Sequence, residues 1–115
     1  MTRIRITLGA LSVTGTLDGS ATAALLAKAL PLAARASRWG DEVYFDTPVA
    51  APPERPQAAV PPGGIAYWPP GKALCLFFGQ TPYSPVNVVG TYDGDPRALA
   101  TVKDGDAVRV ERIEG

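Results

Sequence analysis

Histidine is missing from the sequence altogether. Its absence removes the side chain that most often serves as general base and metal ligand near neutral pH. Ser-His and Cys-His nucleophilic pairs and His-based metal chemistry go with it. A single cysteine, Cys75, rules out an internal disulfide. An excess of one charge is lacking too, since 11 Lys and Arg stand against 11 Asp and Glu. There is thus no basic footprint for nucleic-acid phosphates or for an anionic membrane surface. No apolar run approaches the about 18 residues of a membrane helix. The stretch Met1–Thr7 alternates in polarity and carries no apolar signal core. No phosphate loop, dinucleotide fingerprint or Cys-x-x-Cys occurs, so no cofactor and no metal are expected. Asp93-Gly94-Asp95 and Asp104-Gly105-Asp106 have too few acids for a calcium loop and read as turns and caps. The expectation is a reduced, cytoplasmic protein with neither nucleic acid nor membrane as partner.

What is present argues for a folded β domain. In 115 residues, 46% are apolar and only 19% charged, against disorder. That length suits one domain spanning residues 1–115. Glycine and proline number 12 each, a turn-rich composition. Ile4, Ile6 and Leu8 alternate with Arg3, Arg5 and Thr7, and Leu11, Val13 and Leu17 with Ser12, Thr14 and Thr16. Such period-two patterns predict strands with one buried face, here joined by a hairpin at Gly9-Ala10. Asp18-Gly19-Ser20 offers turn and N-cap chemistry ahead of 21–30, where Leu25, Leu26, Ala29 and Leu30 form the expected apolar stripe and Pro31 stops the helix. Further strands are expected at 32–38, 42–46, 65–68, 73–79, 86–92 and around Val108 and Val110. Asp95-Pro96 opens a second, short helix. Residues 47–64, punctuated by Pro48, Pro52, Pro53, Pro56, Pro61 and Pro62, read as a long surface connection. About eight strands and two helices with Gly/Pro turns suggest a closed barrel or sandwich. The charges of Arg3 and Arg5 against Glu111 suggest that the first and last strands pair.

Between Pro56 and Tyr92 the only charged residue is Lys72, yet the stretch holds Tyr67, Trp68, Phe77, Phe78, Tyr83 and Tyr92. Neutral, aromatic surface is typical of ligand pockets. It is also what a core looks like, and Phe77 and Phe78 fit a strand buried on both faces. Tyr67 and Trp68, beside Pro69-Pro70-Gly71, suit a pocket rim equally well. Cys75, inside an apolar run, reads as a small buried hydrophobe. A reactive thiol would need a nearby cation, and Lys72 is the nearest in sequence. Trp39-Gly40-Asp41-Glu42 sets two acids around one turn. Adjacent acids point to opposite faces of a strand, so the pair reads as a solvated hairpin rather than an acid/base couple.

Three blocks stand out: Ala66-Tyr67-Trp68-Pro69-Pro70-Gly71-Lys72-Ala73-Leu74-Cys75-Leu76-Phe77-Phe78-Gly79-Gln80-Thr81-Pro82, then Trp39-Gly40-Asp41-Glu42-Val43-Tyr44-Phe45, and Ser84-Pro85-Val86-Asn87-Val88-Val89-Gly90 with Gly94-Asp95-Pro96. Together they resemble a small prokaryotic family of cyclophilin-like domains of unknown function. The resemblance implies a mainly β fold, a closed eight-stranded barrel with two short capping helices. Only Tyr83 separates Pro82 from Ser84, where relatives carry a longer loop. Isomerase activity does not follow from the likeness, because the histidine and the Phe-Met-x-Gln-Gly block of true cyclophilins are absent.

The reading is a barrel that binds a small molecule or a proline-containing peptide in an aromatic, nearly uncharged cleft. Trp39, Tyr44, Tyr67 and Trp68 are expected to supply apolar contact, and Thr81 and Asn87 to orient the ligand by hydrogen bonds. The alternatives are a weak peptidyl-prolyl isomerase, with Arg38 polarising the prolyl amide, or an interaction module using the proline-rich 47–64 loop. A monomer or weak homodimer is expected.

Overall fold

In the computed structural model, which describes residues 1–79, 82 and 84–113, nine strands form one sheet in the order β3-β9-β1-β2-β8-β6-β7-β5-β4. The strands are β1 (Thr2–Leu8), β2 (Leu11–Leu17), β3 (Leu32–Arg35), β4 (Ser37–Trp39), β5 (Glu42–Asp46), β6 (Gly64–Trp68), β7 (Ala73–Phe77), β8 (Asn87–Tyr92) and β9 (Ala107–Arg112). Helix α1 spans Ala21–Ala29, and 3₁₀ turns cover Pro69–Gly71 and Pro96–Thr101. Every pairing is antiparallel. No helix among the described residues is long and apolar enough to cross a membrane.

The first and last strands do pair, with Arg5 opposite Glu111. Near-closure comes from 32–39, where the sequence predicts one strand over 32–38 and two are formed. Its first half pairs with β9 and its second with β5, and the break falls at buried Ala36. Counting β3 and β4 together recovers the expected eight strands. Ala36 keeps its backbone bonds across the break, donating to Asp106 O and accepting from Gly105 N at 2.8 Å each. The other seam, between β2 and β8, needs Gly90. A Cβ there would lie 2.0 Å from the Thr16 carbonyl oxygen.

Strand alternation sorts the side chains into two cores. Ile4, Ile6, Leu8, Val43, Phe45, Ile65, Tyr67, Leu74 and Leu76 fill the barrel. Ala66, Ala73, Cys75 and Phe77 point the other way and pack with Val60 and Val86, with Tyr44 and Trp68 against them. The unbroken apolar run of β7 is therefore explained by burial on both faces: Leu74 and Leu76 inward, Ala73, Cys75 and Phe77 outward beneath the connecting segments.

Helix α1 corrects one expectation. Its buried residues are Thr22, Ala23 and Leu26, while Leu25 is 42% exposed. Leu26, Ala29 and Leu30 pack on the core as the stripe predicts, but Leu25 turns out and Thr22 is drawn inward by polar partners. Its hydroxyl donates to Glu54 Oε1 at 2.7 Å and accepts from Asn87 Nδ2 at 3.0 Å. Glu54 also accepts from the Thr22 and Ala21 amides, at 2.9 and 3.1 Å. A carboxylate at a helix N-terminus satisfies amides that have no partner within the helix and complements its dipole. Ser20 Oγ caps the same end by accepting from Ala23 N at 3.2 Å. The 47–64 connection is thus fastened to α1 by Glu54. Tyr67 holds it from inside the barrel, its hydroxyl donating to Val49 O at 2.6 Å.

Candidate functional site

A pocket of about 240 Å³ opens on the outer face of β4, β5, β7 and β6. Strand register builds its floor. Glu42 is paired between Trp39 and Phe77, Tyr44 lies opposite Cys75, and Ala73 lies opposite Trp68. All of these line the cavity. Pro82, Ser84 and Val86 close one side.

Trp68 is held on two sides. Its indole N–H donates to Ser84 Oγ. Its ring lies against Gly71, where a Cβ would come within 2.5 Å of Cζ3. The Pro-Pro-Gly turn therefore seats the indole as well as ending the strand. Lys72 completes that turn in the left-handed conformation, φ 50°, and its side chain is exposed. Trp39, on the pocket rim, is 47% exposed. Leaving that much indole in water forgoes hydrophobic stabilisation of order 1 kcal/mol or more.

Two polar side chains sit deeper. Glu42 is only 8% exposed, so the hairpin acids are not both solvated as expected. Asp41 faces water, and Glu42, one residue on, faces the pocket. Cys75 is 3% exposed. Burial pushes its thiol well above the ordinary range, and the Glu42 charge and a thiol hydrogen bond to that carboxylate push the same way. The thiol stays protonated and behaves as a buried hydrophobe.

Of the expected site residues, Trp39, Tyr44 and Trp68 meet in this pocket. Tyr67 does not. It is 0% exposed inside the barrel, one residue out of phase with Trp68. Asn87 is also interior. Its amide donates to Thr22 Oγ1 and Pro52 O, and its carbonyl accepts from Glu54 N. Thr81 lies outside the described residues. Arg38 is turned away from the pocket, its guanidinium donating to the carbonyls of Val102, Ala100 and Gly40 and lying 5.0 Å from the Phe78 ring centroid. Arg35 reaches the Gly105 carbonyl. No arginine is among the described residues lining the pocket.

Glu42, Cys75, Phe77 and Val86 are lining residues that sequence reasoning did not assign to the site. A signal existed for three of them. Glu42 shares a strand face with Tyr44, and Cys75 and Phe77 share theirs with Ala73, by the two-residue period. What the sequence lacked was the knowledge that this outer face is covered.

The Cyclophilin-like family matches residues 2–111. The chain belongs to that family. Its barrel resembles the solution structure of the hypothetical protein AF2241 from Archaeoglobus fulgidus. The two are 39% identical, with a TM-score of 0.82 over 97% of this chain and 95% of that one. McbB, solved in complex with tryptophan, is 20% identical with a TM-score of 0.79. The match covers 97% of this cyclophilin-like chain and 45% of McbB, a likeness of fold. None of the functionally curated proteins matches the sequence.

Proposed function

We propose that residues 1–115 act as one binding domain, taking a small, flat organic molecule into the pocket bounded by Trp39, Tyr44 and Trp68. The observation that carries this reading is the pocket itself, a concave, mainly apolar cavity walled by both tryptophans of the chain. At about 240 Å³ it falls below the roughly 300–1,000 Å³ of sites for drug-sized ligands. That volume suits one ring system better than a peptide several residues long. McbB, on the same fold, is described in complex with tryptophan, a ligand of that size and flatness. The isomerase alternative calls for a cationic donor beside the ligand, and Arg38 is held elsewhere by backbone carbonyls. Binding is therefore the reading adopted.

The test is a panel of small aromatic compounds read by intrinsic fluorescence and thermal shift. Because Trp39 and Trp68 both line the pocket, an occupant perturbs the whole tryptophan signal. A ligand at 100 times its Kd adds about 2.7 kcal/mol of stability. Trp39→Ala, at an exposed rim position, is expected to leave the fold intact and to weaken binding by about tenfold or more. Hits that bind Trp39→Ala and Tyr44→Ala as tightly as the parent would refute the site.

A further inference from the structure

We propose that Gly71 sets the size of the ligand this pocket admits, and that the ligand is a fused two-ring aromatic molecule. The inference rests on the pocket being a binding site, and names the class of molecule that fills it. Three features of the molecule support it.

The first is why position 71 carries no side chain. Gly71 ends the 3₁₀ turn Pro69–Gly71 and is not among the glycines with positive φ. Its backbone is therefore one that alanine adopts. What excludes a side chain is the indole. A Cβ would lie 2.5 Å from Cζ3 and 2.6 Å from Cε3 of Trp68. To regain ordinary carbon–carbon contact, about 3.5 Å, that ring edge would have to retreat by about 1 Å.

The second is where the edge would go. Trp68 lines the pocket and Gly71 does not, so the indole stands between the turn and the cavity. The pyrrole end of the indole is fixed, because its N–H donates to Ser84 Oγ, and Ser84 lines the pocket too. A benzo edge pushed off position 71 swings about that bond into the cavity. With glycine there, the ring lies back against the turn and the space stays open.

The third is the size and lining of that space. A cavity of roughly 150 Å³ walled by apolar side chains is enough for benzene. This one measures about 240 Å³, which leaves room for a second fused ring. Trp39, Tyr44, Trp68 and Phe77 bring aromatic faces and edges to it, the surfaces on which a larger π system packs. Narrowing the space by the retreat of one ring edge would cost the second ring its place and leave the first accommodated.

The experiment titrates indole and phenol into the full chain by calorimetry. One is a fused and the other a single ring, each neutral and each with one donor group. The parent is expected to bind indole at least about fivefold tighter, since the second ring buries more apolar surface. Gly71→Ala is expected to weaken indole about tenfold, the order by which an apolar pocket senses one carbon, and to change phenol by less than about twofold. Adding Gly71→Ala to Trp68→Leu should leave the indole-to-phenol ratio of Trp68→Leu unaltered, because leucine has no atoms where Cζ3 and Cε3 stood. A parent that binds phenol as tightly as indole overturns the size inference while leaving the pocket reading intact. So does an unchanged ratio in Gly71→Ala, whether both probes keep their affinity or lose it equally. A ratio that still changes in the Trp68→Leu background also overturns it, because position 71 then acts by a route other than the indole. Should Gly71→Ala fail to fold, the ratio in the parent protein still decides. Failure of both probes, together with the wider aromatic panel, overturns the pocket reading and the inference with it.

Discussion

Replacing Asn87 with leucine tests how the long proline-rich connection is held. The side chain is 1% exposed. Its carbonyl accepts from Glu54 N at 2.7 Å, and its amide donates to Thr22 Oγ1 and to Pro52 O, each at 3.0 Å. Leucine is close in size but cannot make any of these bonds. Thr22 keeps its bond to Glu54, so the groups stranded are the Glu54 amide and the Pro52 carbonyl. Each intramolecular hydrogen bond contributes about 0.5–1.5 kcal/mol net, and because Glu54 is half-buried and Pro52 exposed, water can reach the groups left behind, so the loss should be roughly 2–4 kcal/mol. In a chain of this size that lowers Tm by roughly 10–20 °C. Urea unfolding should show a lower midpoint at unchanged slope, meaning lost stability rather than a changed unfolded state. Limited proteolysis should cut within 47–64 before the barrel opens. Asn87→Asp keeps the acceptor for Glu54 N but loses both donors and sets a negative charge against the Pro52 carbonyl. It should be destabilised to a similar degree. A loss below about 1 kcal/mol for Asn87→Leu would refute the argument that this amide fastens the connection.

Two pH effects follow from charge and burial. The Thr22 hydroxyl, followed by the Thr22 and Ala21 amides, holds the Glu54 carboxyl below its ordinary 4.5. Its contribution to folding is complete above that value and is lost as pH falls through the lowered one. Thermal melts at decreasing pH should show Glu54→Gln less acid-sensitive than the parent. Some sensitivity should remain, because Asp93 and Asp95 are lowered too, by Thr14 and Arg97 respectively. Burial pushes the Tyr92 phenol up from 10 to about 12, and its hydroxyl donates to the Phe77 carbonyl. The neutral phenol therefore favours the folded state below about pH 10, and that contribution disappears as pH rises toward 12. Tyr92→Phe should be less stable at neutral pH, and its stability should fall less steeply over that alkaline range in denaturant titrations.

Much of the architecture is legible because it follows from local pattern. Two-residue alternation marks β1, β2 and β9 and the face each buries. Ser20 and Asp95 announce helix starts, and each side chain accepts from the first-turn backbone, at Ala23 N and Arg97 N. The buried face of α1 was less legible. Thr22 turns inward for partners 32 and 65 positions away, which no local stripe reveals. The Leu-Cys-Leu-Phe-Phe run was recognisable as buried, but it carries no alternation to say which side chains face which core.

The candidate site divides along the same line. Its chemistry is readable in the sequence: uncharged, aromatic, with tryptophans beside a Pro-Pro-Gly turn and near a hairpin acid. Its membership is not, because on a strand one residue of phase decides the face. Tyr67 and Trp68 are neighbours in sequence, yet one anchors the 47–64 connection from within the barrel and the other walls the pocket. Asn87, polar and next to an uncharged loop, looks like a ligand contact until its three partners are known. Glu42 looks like a surface acid until the fold covers the outer face of its sheet. The sequence by itself determined the fold class, the strand and turn punctuation and the residue types available to a pocket, because these depend on neighbours along the chain. Only the tertiary structure decided which of those side chains share a cavity and which are consumed by the fold, because that depends on register and on segments arriving from far along the chain.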